Sequence, residues 1–468
     1  MAKKSRKNNT KGLILLVVFI IILFSCIFFI NKILNVADNR SNDEIIIKKG
    51  KYRIDKNIYI PSEKTLILEA GTTLRMEEGI RIIINGRIIA KGTKEQPIIF
   101  QGDNTYWRGI ILNGNERLSK IPGLSWTDME NIDNTFSEDY WNKTRNGNQF
   151  NYCIFENIKF GEEYEAVKNN HRAAIEAYNT SILIANSIFR DIKYIGGIQI
   201  KNSYGSVFNN SLISNGIHKG IHTNNSQVII YKNLIDQNRE SQPCNDGLWL
   251  IESLAIVYSN TIKGKGDDAI DIKGGYGFVL NNLLIKNKDE GIDVDSGSKA
   301  LLYNNTIINN SGSGILVSKS ESILVDNSIY GNLIGGLTIR NKGLVYSVGN
   351  IIKTNTEGIK LYFDIDKDHE FCEFYESNLE IEPWINNVTK LNKNNLLLRN
   401  SIVSDNNLIE INNSDYSLIE IDNSYIKGGY KSNDYIQQEF IQKNMLNYNY
   451  TKSILEINRK LKLFENEN

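Results

Sequence analysis

Residues 245–295 read NDGLWLIESLAIVYSNTIKGKGDDAIDIKGGYGFVLNNLLIKNKDEGIDVD, and one four-residue signature occurs three times in them, as GLWL, AIDI and GIDV. The same signature extends in both directions, and its copies begin at Ala174, Gly197, Gly220, Gly247, Ala269, Gly291, Gly314, Gly336 and Gly358. Successive copies are 23, 23, 27, 22, 22, 23, 22 and 22 residues apart. Self-similarity at a nearly fixed period indicates a repeat protein in which each repeat stacks on the next.

The repeats have the composition of short β-strands. Each holds two or three segments in which Ile, Val or Leu alternates with polar residues, and Gly, Asn and Ser separate the segments. No window in residues 174–362 keeps an apolar period of about 3.6 residues, as a helix would. A parallel coil of about 22 residues per turn fits, since each inward Ile then stacks on the next turn about 4.8 Å away. Leucine-rich repeats share this period, but they need a dominant Leu and a helical return segment.

An asparagine follows the same spacing, at Asn186, Asn210, Asn233, Asn260, Asn282, Asn305, Asn327 and Asn350. We interpret this column as an inward ladder of side-chain amides that form hydrogen bonds along the solenoid axis. The sequence therefore predicts an all-β parallel β-helix.

These signatures, with Glu69-Ala-Gly-Thr-Thr-Leu and Asn85-Gly-Arg-Ile-Ile-Ala in the opening stretch, resemble the right-handed parallel β-helix proteins of the pectate-lyase-like superfamily, in its membrane-anchored bacterial type. The resemblance covers roughly residues 44–430 and implies a right-handed solenoid. That superfamily contains lyases, epimerases, hydrolases and non-catalytic binding proteins, so the fold does not decide the function.

The first 43 residues predict export. Residues 1–11 form a basic tail, and the apolar run Leu13–Ile30 within residues 12–34 is long enough for a transmembrane helix. Because the cations precede the run, the positive-inside rule predicts a signal anchor with a cytoplasmic N-terminus and an extracytoplasmic β-helix, in the periplasm or at the cell surface. A lipoprotein signal ending at Cys26 is the alternative reading. Residues 35–43 are interpreted as a linker.

The charge distribution argues against nucleic acid as a partner. The chain holds 54 basic and 54 acidic residues, but six of the basic ones and none of the acidic ones lie in residues 1–34. The remainder is therefore acidic (48 basic against 54 acidic), whereas binding to phosphates needs a basic surface.

Two segments depart from the repeat. Residues 114–148 form an insertion with four large aromatic residues, Trp126, Phe136, Tyr140 and Trp141. Such a loop either borders the binding face of the solenoid or buries its own aromatic residues. Residues 431–468 have scattered apolar spacing and are interpreted as a C-terminal cap or tail, which an open β-sheet end requires.

One outward face of the predicted coil is strongly acidic. The third residue of each signature points outward, and the turn before it is also exposed to solvent in this arrangement. Three adjacent repeats there carry eight carboxylates: Asp246, Asp267, Asp268, Asp271, Asp289, Glu290, Asp293 and Asp295. Lys273 lies among them, and His218, Lys219, His222 and Trp249 flank them.

Like charges stacked about 5 Å apart are destabilising unless something compensates them. A Ca²⁺ ion bound by six to eight oxygens is one solution, and a proton shared between paired acids is another. Simple solvation of an acidic turn is the third. Trp249 predicts a polysaccharide partner, because an exposed aromatic ring on a strand can stack on sugar rings. Lys219, His218, Glu290 and Asp295 are the other predicted substrate-binding residues.

Three functions follow from this face and from the resemblance. As in uronate lyases and C5-epimerases, Asp268, Asp271 and Asp293 would bind a cation, and Lys273 or His222 would be the base. In polygalacturonase-like hydrolases the similar motifs imply that Asp246, Asp267 and Asp268 act as acid and base. The chain departs from those hydrolases at Asp289-Glu290-Gly291, where they have a histidine between glycines, and Arg340 and Lys342 only roughly replace their basic triplet. The third function is non-catalytic binding or scaffolding. The sequence thus predicts a protein that binds and modifies an acidic polysaccharide.

Overall fold

The computed structural model describes residues 43–116, 118–121, 123–131, 136–159, 173–193, 195–214, 219–237, 245–264, 266–362, 395–399, 401–404, 406, 409–413, 418–422, 424–427 and 450–467. In this part of the chain, three parallel sheets of 14, 14 and 13 strands run along a solenoid. Neighbours within each sheet are every third strand in the chain, so each turn adds one strand to each sheet. The predicted right-handed parallel β-helix is confirmed.

Sheet A consists of β1 Glu44–Ile47, β4 Thr65–Leu68, β7 Arg87–Lys91, β10 Asn148–Asn151, β13 Ser181–Ala185, β16 Tyr204–Phe208, β19 Gln227–Tyr231, β22 Leu254–Tyr258, β25 Tyr276–Leu280, β28 Lys299–Tyr303, β31 Glu321–Val325, β34 Leu344–Val348, β37 Asn395–Arg399 and β40 Leu418–Asp422. Sheet B consists of β2 Lys51–Ile54, β5 Thr73–Met76, β8 Ile98–Gly102, β11 Cys153–Lys159, β14 Ile188–Lys193, β17 Ser211–Ser214, β20 Leu234–Gln237, β23 Thr261–Gly264, β26 Leu283–Ile285, β29 Thr306–Ile308, β32 Ser328–Tyr330, β35 Ile351–Lys353, β38 Ile402–Ser404 and β41 Tyr425–Ile426. Sheet C consists of β3 Ile58–Ile60, β6 Ile82–Ile84, β9 Ile110–Asn113, β12 Ala173–Tyr178, β15 Gly196–Lys201, β18 Ile221–Asn224, β21 Leu248–Ile251, β24 Ile270–Lys273, β27 Ile292–Asp295, β30 Ile315–Ser318, β33 Gly335–Arg340, β36 Glu357–Tyr362 and β39 Ile409–Asn413.

The recurring signature forms the strands of sheet C. Ile270 of β24 pairs with Leu248 of β21 on one side and with Ile292 of β27 on the other. These aliphatic side chains are fully buried and stack along the axis in one continuous core. Their alternation with outward residues fixes the register, because a slip of one residue would turn the apolar set towards solvent.

Two buried asparagine ladders run along the coil. In the first, each side-chain amide donates to the amide oxygen of the next turn, as Asn282 does to Asn305 at 3.0 Å. This ladder was predicted, and it joins Asn210, Asn233, Asn260, Asn282, Asn305, Asn327 and Asn350. The second ladder was not predicted and joins Asn287, Asn310, Asn332, Asn355 and Asn406.

Asn186 is an exception to the predicted ladder. Its φ is 49°, in the left-handed region that asparagine tolerates better than most residues. Ser187 occupies the ladder position in that turn, and its backbone amide donates to Asn210 Oδ1 at 2.8 Å. The asparagines that share this spacing therefore have two different roles. Most of them form the amide ladder, whereas Asn186 occupies a left-handed backbone position next to it.

Among the described residues, three helices cover the outer face of sheet A: α1 Trp126–Glu130, α2 Glu138–Asn146 and α3 Tyr450–Glu467. A capping box at Ser125 begins α1. Trp126 Nε1 donates to the buried carboxylate of Glu321 at 2.7 Å, and Tyr140 OH donates to the carbonyl of Gly205 at 2.6 Å. The insertion therefore buries its aromatic residues against sheet A, and its described part does not border the acidic face.

The C-terminal helix α3 contacts the same insertion. Its Lys460 Nζ donates to the carbonyl of Phe136 at 2.9 Å, and Ile454, Ile457 and Leu461 are buried with the aromatic residues of the insertion. The suggested capping role of residues 431–468 stays a prediction.

Membrane anchoring was predicted for residues 12–34, which lie outside the described residues, as does the basic tail. Within the part of the chain that the structure describes, no helix has the length and apolar character needed to cross a bilayer.

Candidate functional site

Sheet C brings the outward residues of successive turns side by side. Trp249, Asp271 and Asp293 are Cα partners on β21, β24 and β27, and Lys273 pairs with Asp295 in the neighbouring column. Adjacent strands lie about 4.8 Å apart, so side chains 22 residues apart in sequence become neighbours. The predicted acidic columns are therefore aligned as expected.

The turns that precede these strands are linked by a ladder of carboxylates. The backbone amide of Asp268 donates to Asp246 Oδ1 at 3.4 Å, and that of Glu290 donates to Asp268 Oδ1 at 2.7 Å. The amide of Ser313 continues the series by donating to Glu290 Oε1 at 3.4 Å. Each acid thus helps to fix the backbone of the next turn while keeping a second oxygen for other contacts.

Turn and strand together form one pocket on sheet C. Its lining contains seven acids and three other side chains: Asp246, Asp267, Asp268, Asp271, Asp289, Glu290, Asp293, Lys219, Lys273 and Trp249. We call this the acid pocket. Its volume of about 50 Å³ accommodates a few water molecules or a small charged group, but not a sugar ring.

Five acids of the pocket are largely buried: Asp246, Asp268, Asp271, Glu290 and Asp293. Burial raises the pKa of each above its ordinary value, because desolvation disfavours the charged carboxylate. For Asp268, the neighbouring charges act in the same direction as burial, with Glu290 and Asp267 contributing most.

Lysines oppose this effect at three of the acids, Asp246, Asp271 and Asp293. Burial raises the pKa of Asp246, and the charge of Lys219 is the largest influence in the opposite direction. For Asp271 the opposing charge is that of Lys273, whose Nζ lies 3.4 Å from Asp271 Oδ2. The protons of the pocket are therefore expected to reside preferentially on Asp268 and Glu290, because no lysine is among the main influences on the pKa of either.

The pocket also contains acceptors without donors. Asp271 is 3% exposed and Asp293 8% exposed, and the Oδ1 atom of each has no hydrogen-bond partner among the described residues. Two groups of three acids place one oxygen of each member within 4.8 Å of the others. One group is Asp246, Asp268 and Asp271, and the other is Asp268, Asp289 and Glu290.

Most of the predicted site residues meet in the acid pocket. Of the predicted site residues that the structure describes, His222 and Asp295 do not line the pocket. His218 lies outside the described residues. The three-acid group that contains Asp268 and Asp271 is completed by Asp246, whereas the sequence had suggested Asp293. The cation itself stays a prediction.

The predicted exposure of Trp249 is wrong. Its side chain is only 2% exposed, because the His222 ring lies against it with centroids 4.5 Å apart and Lys219 Nζ lies over its face. A cation over an aromatic face is a favourable contact in its own right. Trp249 therefore forms a wall of the pocket and supports Lys219, and it offers no open stacking platform.

The sequence assigned no role to Asp289, and it named Arg340 only as a rough substitute for the basic triplet of the hydrolases. Asp289 lines the pocket. Its position two residues before the signature that begins at Gly291 could have indicated this. Burial lowers the pKa of Arg340, yet the attraction of Asp293 and Tyr362 outweighs it, so that the pKa is raised. Arg340 on β33 lies two strands beyond Asp293 on β27 in sheet C. The repeat spacing alone is sufficient to predict this separation.

The comparisons with known proteins agree with the fold. Residues 163–299 and 241–364 match the family model for a "Right handed beta helix region". No curated protein matches this sequence. The solved structure of the periplasmic alginate epimerase AlgG is 13% identical, with 85% of this chain and 88% of that chain covered and a TM-score of 0.50.

Two further solved structures are similar over most of their length. The A-module of the Azotobacter vinelandii mannuronan C-5 epimerase AlgE6 is 10% identical, with 85% of this chain and 93% of that chain covered and a TM-score of 0.37. PfbA, a surface adhesin of Streptococcus pneumoniae, is 16% identical, with 72% of this chain and 87% of that chain covered and a TM-score of 0.36. The similarity to AlgG, at 13% identity, concerns the fold alone.

Proposed function

We propose that the protein is an extracytoplasmic polysaccharide-binding β-helix protein that hydrolyses glycosidic bonds at the acid pocket. One observation carries this proposal: the neighbouring buried acids Asp268 and Asp246 differ in their surroundings, because nearby acids add to the effect of burial on the pKa of Asp268, whereas Lys219 opposes that effect at Asp246. Such a difference between two neighbouring carboxylic acids is what a catalytic pair of carboxyl groups requires. A polysaccharide partner is supported by the shared fold of the alginate epimerase, and export is supported by the apolar N-terminal run.

Asp268 is the proposed general acid. A general acid must hold its proton before the reaction, and both burial and the surrounding acids favour the protonated form of Asp268. In the reaction it donates this proton to the glycosidic oxygen while the bond from that oxygen to the anomeric carbon breaks. The leaving chain thereby departs as a neutral alcohol.

Asp246 is the proposed nucleophile. The charge of Lys219 counteracts the effect of burial on Asp246, and the backbone amide of Asp268 donates to its Oδ1 atom at 3.4 Å. Both contacts favour the carboxylate form, which attacks the anomeric carbon as the glycosidic bond breaks. An oxygen of Asp246 and one of Asp268 lie within 4.8 Å of each other, which is the close spacing of a retaining hydrolase and leaves no room for a directly attacking water between them. Asp268, which has given up its proton, then takes a proton from a water molecule whose oxygen replaces Asp246 on the anomeric carbon. Asp267, at the partly exposed rim of the pocket, adds negative charge that stabilises the oxocarbenium-like transition state.

The second candidate is a cation-assisted lyase or C5-epimerase. It is favoured by the Asp246, Asp268 and Asp271 oxygens within 4.8 Å of one another, which are suitable ligands for Ca²⁺. Such a cation would neutralise the carboxylate of a uronate. However, this reaction also needs an uncharged base. Lys273 lies 3.4 Å from Asp271, which favours its charged form, and His222 does not line the pocket. Hydrolysis therefore fits the geometry better.

The products distinguish the three functions. The full-length protein in detergent is incubated with a panel of neutral, acidic and amino-sugar polysaccharides, with and without a chelator. Hydrolysis gives new reducing ends without unsaturated sugars and is insensitive to the chelator. Unsaturated ends or inverted uronates that require the cation indicate the lyase or epimerase, and binding without products indicates a scaffold.

Asp268→Asn and Asp326→Asn form the matched pair of variants for this assay. Asp326 lies in a turn after β31 of sheet A with φ of 53°, a conformation in which asparagine is well tolerated. The proposal expects activity in the wild type and in Asp326→Asn, and none in Asp268→Asn.

A further inference from the structure

We infer that the acid pocket takes a protonated amino group, so that the substrate is a polysaccharide of amino sugars with free amines. This inference rests on the proposed function and specifies its substrate class. The sequence predicted an acidic polysaccharide. The charge and geometry of the pocket instead favour a polysaccharide that carries positive charge.

The first argument is the charge of the lining. Seven acids and two lysines line the acid pocket, and each lysine is already engaged. Lys273 lies beside Asp271, and Lys219 lies over the Trp249 ring. A uronate carboxylate would enter a site dominated by its own sign of charge, whereas an ammonium group would be attracted.

The second argument is the position of the acceptors. An alkylammonium group has three N–H donors, and each prefers a carboxylate oxygen about 2.8 Å from the nitrogen. Asp271 and Asp293 are Cα partners on adjacent strands of sheet C and both line the pocket, so their carboxylates lie side by side. An oxygen of Asp271 also lies within 4.8 Å of an oxygen of Asp246 and of one of Asp268. An amine held by Asp271 and Asp293 would therefore lie next to the two catalytic acids without occupying them.

The third argument is the unsatisfied acceptors. Asp271 Oδ1 and Asp293 Oδ1 are buried and have no donor among the described residues, although both side chains line the pocket. A buried acceptor without a donor is destabilising, so a ligand rich in donors would relieve this cost. An amino sugar has such donors in its ammonium group and in its adjacent hydroxyls.

The fourth argument is size. The pocket holds about 50 Å³, which suits an ammonium group but not a whole sugar ring. The ring would lie over the opening, with its amine pointing towards Asp271 and its glycosidic oxygen towards Asp268. An N-acetyl group is larger and uncharged, so the same pocket would discriminate against acetylated sugars.

Calorimetric titration of the full-length protein tests the inference. The probes are a glucosamine hexamer, its fully N-acetylated counterpart and a galacturonate hexamer, each at about pH 6 with either EDTA or added Ca²⁺. We expect the glucosamine hexamer to bind at least about tenfold more tightly than the other two in EDTA. We expect Asp271→Asn to weaken this binding about tenfold and Asp326→Asn to leave it unchanged.

Each alternative outcome has a distinct meaning. Equal binding of the acetylated hexamer, or binding of the galacturonate hexamer only with Ca²⁺, overturns the inference. If the protein nevertheless releases reducing ends from another polysaccharide, the proposed hydrolase stands without the amino-sugar specificity. Tight binding of the glucosamine hexamer without any cleavage supports the inference and rejects hydrolysis.

Discussion

The backbone amide of Glu290 donates a hydrogen bond of 2.7 Å to Asp268 Oδ1, across 22 residues of sequence. One turn of the solenoid thus uses its acidic side chain to hold the turn that carries the next acid. Asp246 and Asp268 are related in the same way, at 3.4 Å. The arrangement concentrates carboxylates that repel one another when all of them are charged. Protonation of some of them relieves this repulsion, and the same protons are available for the chemistry of the pocket.

Replacement of Asp268 separates catalysis from folding. Asp268→Asn keeps the size of the side chain and an oxygen for the Glu290 amide, but it removes the transferable proton. We expect kcat to fall by about 100-fold or more, as is usual when a general acid is lost, with little change in substrate affinity. Rates of reducing-end release and calorimetric Kd values measure the two effects. An Asp268→Asn enzyme with a wild-type kcat would exclude Asp268 as the acid.

The stability of the protein should decrease as the pH rises. Asp268, Glu290 and Asp293 have raised pKa values in the folded state, so the folded protein holds more protons than the unfolded chain over the interval between the two values. Stability is then greatest below the unfolded-state values of about 4 and declines as the pH rises through the folded-state values.

Thermal unfolding between about pH 4.5 and 8 provides the measurement for this dependence. The double variant Asp268→Asn, Glu290→Gln removes two of the titrating groups and should flatten the decline. A wild type that becomes more stable towards pH 8 would show that the acids are ionised in the folded state.

Lys219 should set the acidic limb of the pH–rate profile. Its charge is the main influence that opposes the raised pKa of Asp246. Lys219→Met should therefore raise the pKa of Asp246 further and move the acidic limb of kcat/KM to higher pH.

Lys263→Met is the control for this change. Lys263 forms an ion pair with Asp236 on sheet B, at 3.1 Å and on a half-exposed surface. Its replacement should leave the profile in place. If both variants shift the profile equally, the effect comes from net charge and not from contact with Asp246.

The asparagine ladder should be important for stability. Asn305 is fully buried, and its amide donates to the carbonyl of Val279 at 2.8 Å and to Asn327 Oδ1 at 3.0 Å. Asn305→Ala leaves several buried polar groups without partners, at a cost of about 1–3 kcal/mol for each. The neighbouring Asn304 is exposed with φ of 50°, so Asn304→Gly should be nearly neutral. Denaturation midpoints compare the two variants, and equal midpoints would contradict the proposed role of the ladder.

The sequence predicted the solenoid well because its period places the same residue type at the same point of every turn. Ile270 and Ile292 could be assigned to one inward column, and Asp271 and Asp293 to one outward column, without any other information. The spacing could not show how much water reaches each outward side chain. Trp249 was therefore expected to be exposed, although His222 and Lys219 cover it.

The insertion shows a second limit of the sequence. The aromatic content of residues 114–148 indicated a packed segment but not the sheet against which it packs. That choice depends on partners far away in the chain, such as Glu321 for Trp126 and Gly205 for Tyr140. Repetition reveals contacts between neighbouring turns, whereas contacts made once by an irregular segment leave no periodic signal.

Product formation in water labelled with heavy oxygen tests the central claim most directly. The full-length protein is incubated with its polysaccharide in this water, and the products are analysed by mass spectrometry, with Asp268→Asn alongside. Hydrolysis in the acid pocket predicts one heavy oxygen atom at each new reducing end in the wild type and no products from the variant. Shortened chains that carry unsaturated ends and no heavy oxygen would contradict the account.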